Sequence, residues 1–263
     1  MKVRVNGIDI NYTLDGPAHA PVVTLSHSLA TDLSMWDSQV AELSKRYRVL
    51  RYDTRGHGGT DAPAGAYTLA ELADDARALL RALGISRTQW IGLSLGGMVG
   101  QTIALDSAAL IAGLCLCDTS SRVPVEARPL WAERIKTAMT QGMEPLVEPT
   151  IGRWFTSGFV ASHKAIVDGV RAMIRRTPPA GYAGCCHAIS MLDLTDRISA
   201  ITQPTLIVVG EEDQGTPVAA SRAINERIKG SEVVIIKSAS HLSNIEQPQE
   251  FTTAILTFLN KIS

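Results

Sequence analysis

The sequence predicts an α/β fold: a mostly parallel eight-stranded sheet with helices on both faces and an inserted helical cap. Three observations lead there. Apolar runs of strand length alternate with stretches of helical period. The first two strands flank Asn6-Gly7, a strong hairpin signal. Between about Thr119 and Thr195 the strand signal disappears and only helical stretches broken by Gly and Pro remain. The expected division is therefore a core of residues 1–118 and 196–263, and a cap of residues 119–195.

Val3, Val5, Ile8, Ile10 and Tyr12 alternate around the hairpin turn, and Asp15-Gly16-Pro17 ends the second strand. Val22 to Leu25 is a short buried strand running into Ser26-His27-Ser28-Leu29. Trp36, Val40 and Leu43 recur at helical spacing. Arg48 to Tyr52 is a strand, followed by a loop from Asp53 to Thr60. Thr68 and Glu71 form a capping box for a helix through Leu83, which Gly84 closes. Thr88 to Leu93 is a buried strand, Gly97 to Leu105 a helix, and Leu110 to Cys117 a strand ending at Asp118. Helices are expected over 126–140, 143–154, 163–175 and 182–192. Thr205 to Val209 and Glu232 to Ile236 are strands, with helices over 217–228 and 248–259.

At 45% hydrophobic and 19% charged, the 263 residues suit one globular α/β domain. A net charge of −1 gives no electrostatic case for nucleic acid or a membrane surface. No apolar run is long enough to span a bilayer, and the first residues lack a signal-peptide core. Cys115 and Cys117, and adjacent Cys185 and Cys186, lack disulfide or zinc spacing. They are expected as reduced packing residues in a cytoplasmic protein, a monomer or small homo-oligomer without metal or cofactor.

The chemistry centres on Gly92-Leu93-Ser94-Leu95-Gly96-Gly97. A serine between glycines where a strand turns into a helix fits the nucleophile elbow G-x-S-x-G. A hydroxyl needs a base to become a nucleophile, and that base needs an orienting acid. His241 follows the last strand by a short loop, and Asp213 lies just past the strand before it. Both are strand ends where such folds assemble sites. Glu211, Glu212 and Asp118 are rival acids. The Leu95 amide and the Leu29 amide are expected to form the oxyanion hole. His27 and His57 are expected to fix loops, whereas His19, His163 and His187 have no supporting constellation. Met98 and Met191 are expected as core fillers.

Taken together, these residues resemble an α/β-hydrolase along the whole chain, and within that superfamily the 3-oxoadipate enol-lactonases of aromatic-acid catabolism. The resemblance is carried by residues 29–36, by Val49 to Gly58, by the elbow, by Arg153-Trp154-Phe155-Thr156 and by Ser240 to Glu246. His27-Ser28 stands where many such lactonases have Asn-Ser, and Asp118 where asparagine is expected. The adjacent Cys185-Cys186 also departs from the pattern. Asp118 is expected close enough to the pocket to disfavour an anionic substrate.

The resemblance implies acyl transfer through Ser94, with His241 as base, Asp213 as its orienter, and no cofactor. An enol-lactone bearing a free carboxylate needs a cation, for which Arg122 is the first candidate, with Trp131 and Trp154 as an apolar wall. The alternatives are a general short-chain carboxylesterase, a perhydrolase, and a small-molecule receptor retaining the triad.

Overall fold

The protein is described here as a computed structural model covering residues 1–262. Its strands are β1 (Lys2–Val5), β2 (Ile8–Asp15), β3 (Val22–Ser26), β4 (Arg48–Tyr52), β5 (Thr88–Leu93), β6 (Ile111–Cys117), β7 (Thr205–Gly210) and β8 (Glu232–Ile236). Its helices are α1 (Asp37–Leu43), α2 (Leu69–Ala82), α3 (Leu95–Asp106), α4 (Arg128–Gln141), α5 (Glu144–Trp154), α6 (Ser157–Ser162), α7 (Lys164–Arg176), α8 (Pro179–Ser190), α9 (Val218–Arg227), α10 (Ser243–Glu246) and α11 (Pro248–Ile262).

The strands form one sheet in the order β1-β2-β4-β3-β5-β6-β7-β8. β1, β2 and β4 pair antiparallel, and every later pairing is parallel. In the hairpin Val5 faces Ile8, with Asn6 and Gly7 at φ of 48° and 79°. Two successive positive φ values are what a two-residue hairpin turn needs, hence Asn-Gly. β5 and β7 are buried along their whole length, which accounts for their unbroken apolar runs.

Neighbours on β5 show how the helices are layered. Trp90 packs under Gly100 of α3, where a Cβ would lie 2.5 Å from the indole. Gln89 points the other way, toward Gly113 and Ile262 of α11. Helices therefore cover both faces, as the sequence predicts.

Element boundaries follow the sequence reading to within three residues, and three departures from it have a physical reason. Helix α3 starts at Leu95 rather than Gly97, because the chain turns within Ser94 itself. Thr68 caps α2 by accepting the Glu71 amide, but the Glu71 carboxylate turns to Arg55 (3.4 Å), so only half of the capping box forms. The short helices α6 and α10 have too few residues to show a period.

Between β6 and β7 lie α4 to α8, with no named strand among the described residues. An isolated bridge between Arg122 and Asp193 ties the two ends of this segment together, Val123 N donating to Leu192 O and Leu194 N to Ser121 O. Helix α8 is fastened to the loops after β4. Tyr67 N donates to Gly184 O, and Cys185 Sγ approaches Arg55 O at 3.7 Å. Gly181 and Gly56 meet backbone to backbone, where a Cβ on Gly181 would lie 2.1 Å from Gly56 O. All four cysteines are free and buried. No described helix is long and apolar enough to cross a membrane.

Candidate active site

The elbow is set by close backbone packing. A Cβ on Gly92 would lie 2.1 Å from Gly96 O, and one on Gly96 would lie 2.1 Å from Ser26 O. Only glycine fits either position. Ser94 adopts φ 54° and ψ −113°, a conformation that costs energy in a residue with a side chain. Surrounding bonds hold it there: Ser94 N donates to Cys117 O, and Ser94 O accepts from Met98 N and from Thr119 Oγ1 at 2.7 Å.

At the ends of β7 and β8, Asp213 Oδ2 lies 2.9 Å from His241 Nδ1. Thr216 Oγ1 also donates to Oδ2, while the Gly215 and Thr216 amides donate to Oδ1. Burial alone would raise the Asp213 pKa. The charge of His241 and these donors outweigh it and hold the pKa at about 2. Burial likewise opposes a charged His241, but Asp213 wins and raises the imidazole above its usual value. Nδ1 thus carries the proton toward Asp213, leaving Nε2 free to act as a base. The Ser94 and His241 side chains line the same cavity. They are not hydrogen-bonded to one another here; such contacts often close only around substrate.

Two histidines shape the loop after β3. Thr54 N donates to His27 Nε2, which directs the His27 Nδ1 proton to Ser28 O at 2.7 Å. Ala30 N donates to His57 Nε2 at 2.9 Å. Burial, with His27 nearby, pushes the His57 pKa down to about 3, so this ring remains a neutral acceptor. Both act as the loop-fixing residues the sequence suggests. Leu29, which they bracket, lines the cavity. Leu95 is fully buried at the first position of α3, where an amide lacks an intrahelical partner.

The cavity holds about 470 Å³ and is walled by the loops after β3, β6 and β7 and by residues of α4, α5 and α8. Trp131 and Trp154 both line it. Trp154 stacks on His241, with ring centres 6.1 Å apart. Arg122 reaches the rim, but its side chain is 57% exposed and faces Asp193 at 3.8 Å. Two cations absent from the sequence expectation also line the wall, Arg134 and Arg153. Arg134 lies over Trp131, 4.6 Å from its ring centre. Arg153 donates to Thr150 Oγ1, and burial together with Arg134 lowers its pKa. Neither forms an ion pair within the described residues. Arg134 follows Trp131 by three residues, one helical turn, and that spacing is the signal that would have found it.

Two expectations are corrected. Asp118 does not border the cavity, so its carboxylate does not meet a ligand there. It is fully buried, accepting from Gly210 N at 2.8 Å and from Ser243 Oγ, and burial holds its pKa well above the usual carboxylate range. Met191 is no core filler but 65% exposed, whereas Met98 is buried against the cavity. No described group of three or more His, Cys, Asp or Glu is arranged to hold a metal.

Residues 21–248 match the family described as alpha/beta hydrolase fold. The chain is 34% identical to 3-oxoadipate enol-lactonase 2 of Acinetobacter baylyi, over 97% of this chain and 95% of that one. The enol-lactonase from Burkholderia xenovorans superposes with a TM-score of 0.96 at 39% identity, covering 99% of this chain and all of the other. A thermophilic esterase from Thermogutta terrifontis superposes with a TM-score of 0.94 at 31% identity, covering 100% of this chain and 99% of the other. With this sheet order, this elbow and these relatives, the chain belongs to the α/β hydrolase family.

Proposed function

We propose that this hydrolase cleaves small esters or lactones through an acyl-enzyme on Ser94, and that its substrate is 3-oxoadipate enol-lactone, opened to 3-oxoadipate in aromatic-compound catabolism. The supporting observation is that His241, hydrogen-bonded to Asp213, lines the same cavity as a strained, elbow-borne serine. In this reading His241 Nε2 takes the Ser94 proton as Oγ attacks the carbonyl. The Leu29 and Leu95 amides hold the oxyanion. The enolate leaves, tethered to the acyl chain, and water activated by His241 then releases the acid. Asp213 keeps the imidazole tautomer and stabilises its cation.

Residues 119–195 act as a cap over the core of residues 1–118 and 196–263 and select the acyl group. The lactone assignment is supported by the two lactonase likenesses and by Arg134 and Arg153, unpaired cations in an otherwise largely apolar cavity. A carboxylate on the substrate supplies the counter-charge they lack. Arg122, already facing Asp193, plays the smaller part. The likeness to an esterase favours the second reading, a general short-chain carboxylesterase.

One panel tests both: the enol-lactone and p-nitrophenyl acetate, with wild type and Ser94→Ala. The variant should lose about 10⁴-fold in kcat on either compound. Retained activity overturns the mechanism. Turnover of the simple ester alone leaves only the second reading.

A further inference from the structure

Glu246 is a carboxylate that the proposed chemistry does not use, yet it is 5% exposed and fully engaged. Oε2 accepts the amide of Ser240, the residue before His241. Oε1 accepts both the amide and the hydroxyl of Thr156, each at 2.8 Å. Two further bonds run beside it: Ser240 Oγ donates to Arg153 O at 3.0 Å, and Leu242 N donates to Trp154 O at 3.1 Å. The Trp154 ring stacks on His241 at the same junction. The loop bearing the base is therefore joined to residues 153–156, which bear a cavity cation and an aromatic wall.

A buried carboxylate is costly to keep, and a purely packing role is met as well by an apolar side chain. What an apolar side chain cannot do is accept three donors from two separate segments. A glutamine cannot do it either, because its amide nitrogen would face the Ser240 N–H donor to donor.

We infer that Glu246 is a positioning residue: it clamps the His241 loop to Arg153–Thr156, setting the distance between the group that grips the substrate's carboxylate and the base that serves Ser94. This rests on the serine-hydrolase reading above. A substrate seated against Arg153 then presents its carbonyl at a spacing set by this junction, to which Glu246 contributes three of the bonds. When the clamp is loosened, substrate still binds, but the base is misplaced for part of the time.

The test is steady-state kinetics on the enol-lactone with Glu246→Gln, Thr156→Val and Thr156→Ser, beside wild type and Ser94→Ala. Glu246→Gln should lower kcat about 10- to 50-fold with KM within about threefold. Thr156→Val loosens the clamp from the far side while leaving the carboxylate itself in place; it also removes the hydroxyl that accepts the Phe159 amide at the start of α6, a loss the melting curves register. It should lower kcat about three- to tenfold, whereas Thr156→Ser, which keeps the hydroxyl, should stay within about twofold. Melting curves correct each rate for the folded fraction. The inference is overturned if Glu246→Gln and Thr156→Val keep wild-type kcat after that correction, if their losses lie in KM alone, or if Thr156→Ser falls as far as Thr156→Val. Ser94→Ala separates the two levels. An active Ser94→Ala removes the serine mechanism and the clamp with it. An inactive Ser94→Ala beside an unimpaired Glu246→Gln removes the clamp alone.

Discussion

Replacing Arg153 with methionine should separate substrate recognition from catalysis. The guanidinium lines the cavity, donates to Thr150 Oγ1 and has no carboxylate partner among the described residues. Burial and the nearby Arg134 already lower its pKa, so the charge is held against resistance that an anionic ligand relieves. A hydrogen bond to a charged group contributes about 1.5–3 kcal/mol. At 1.4 kcal/mol per decade this is about a 10- to 150-fold change in kcat/KM. Arg134 stays in place and still attracts the carboxylate, so the loss should fall in the lower half of that range, about 10- to 40-fold. Methionine keeps much of the aliphatic stem and hence the packing. The assay compares the enol-lactone with p-nitrophenyl acetate, which carries no anion and should change less than about threefold. Equal losses on both substrates would refute the assignment, since they would mean that the variant had disturbed His241 or the fold rather than a carboxylate contact.

Other outcomes follow from the same geometry. Asp213→Asn should lower kcat by about 10³- to 10⁴-fold, and because His241 then loses what raises its pKa, the acid limb of the pH–rate profile should move to lower pH. In wild type, ionised Asp213 stabilises the fold above its ordinary pKa of 3.8, and this contribution is lost as the pH falls through about 2; urea midpoints against pH will show the direction. Gly92→Ala should unfold or inactivate the protein, since its Cβ would meet backbone at 2.1 Å, whereas Gly152→Ala, with nothing within 4 Å, should be neutral or stabilising by up to about 1 kcal/mol in thermal melts.

The elbow was legible because its pattern is local: β5, Ser94 and the start of α3 lie within a few residues, although Ser26, Cys117 and Thr119, distant in sequence, help to hold it. Asp213 and His241 were legible because each follows a strand end, so topology alone brings them together. The cavity wall was not. Arg122 comes just after β6 in sequence and so looked like the binding cation, yet the Arg122–Asp193 bridge leaves its side chain largely in solvent. Arg134 and Arg153 reach the cavity only through the way α4, α5 and α8 pack on one another. Periodicity tells which helix residues are apolar, but not which polar ones a neighbouring helix turns inward. Asp118 misled for the same reason. Its position past β6 suggested the pocket, but backbone at φ 43° tucks the carboxylate beneath it, between Gly210 and Ser243.

The contact between Gly56 and Gly181 bears on how a ligand enters. Two backbones without side chains between them have no slack: a rigid rotation of α8 outward would break this contact and, with it, the Tyr67–Gly184 and Cys185–Arg55 attachments. The cavity is also bordered by residues 122–131, ahead of and within α4. There Val125 and Leu130 stand exposed around the start of α4. With α8 held in this way, selection for bulkier substrates should gather its substitutions near residues 124–131, which border the cavity next to exposed surface, while leaving Gly56 and Gly181 untouched.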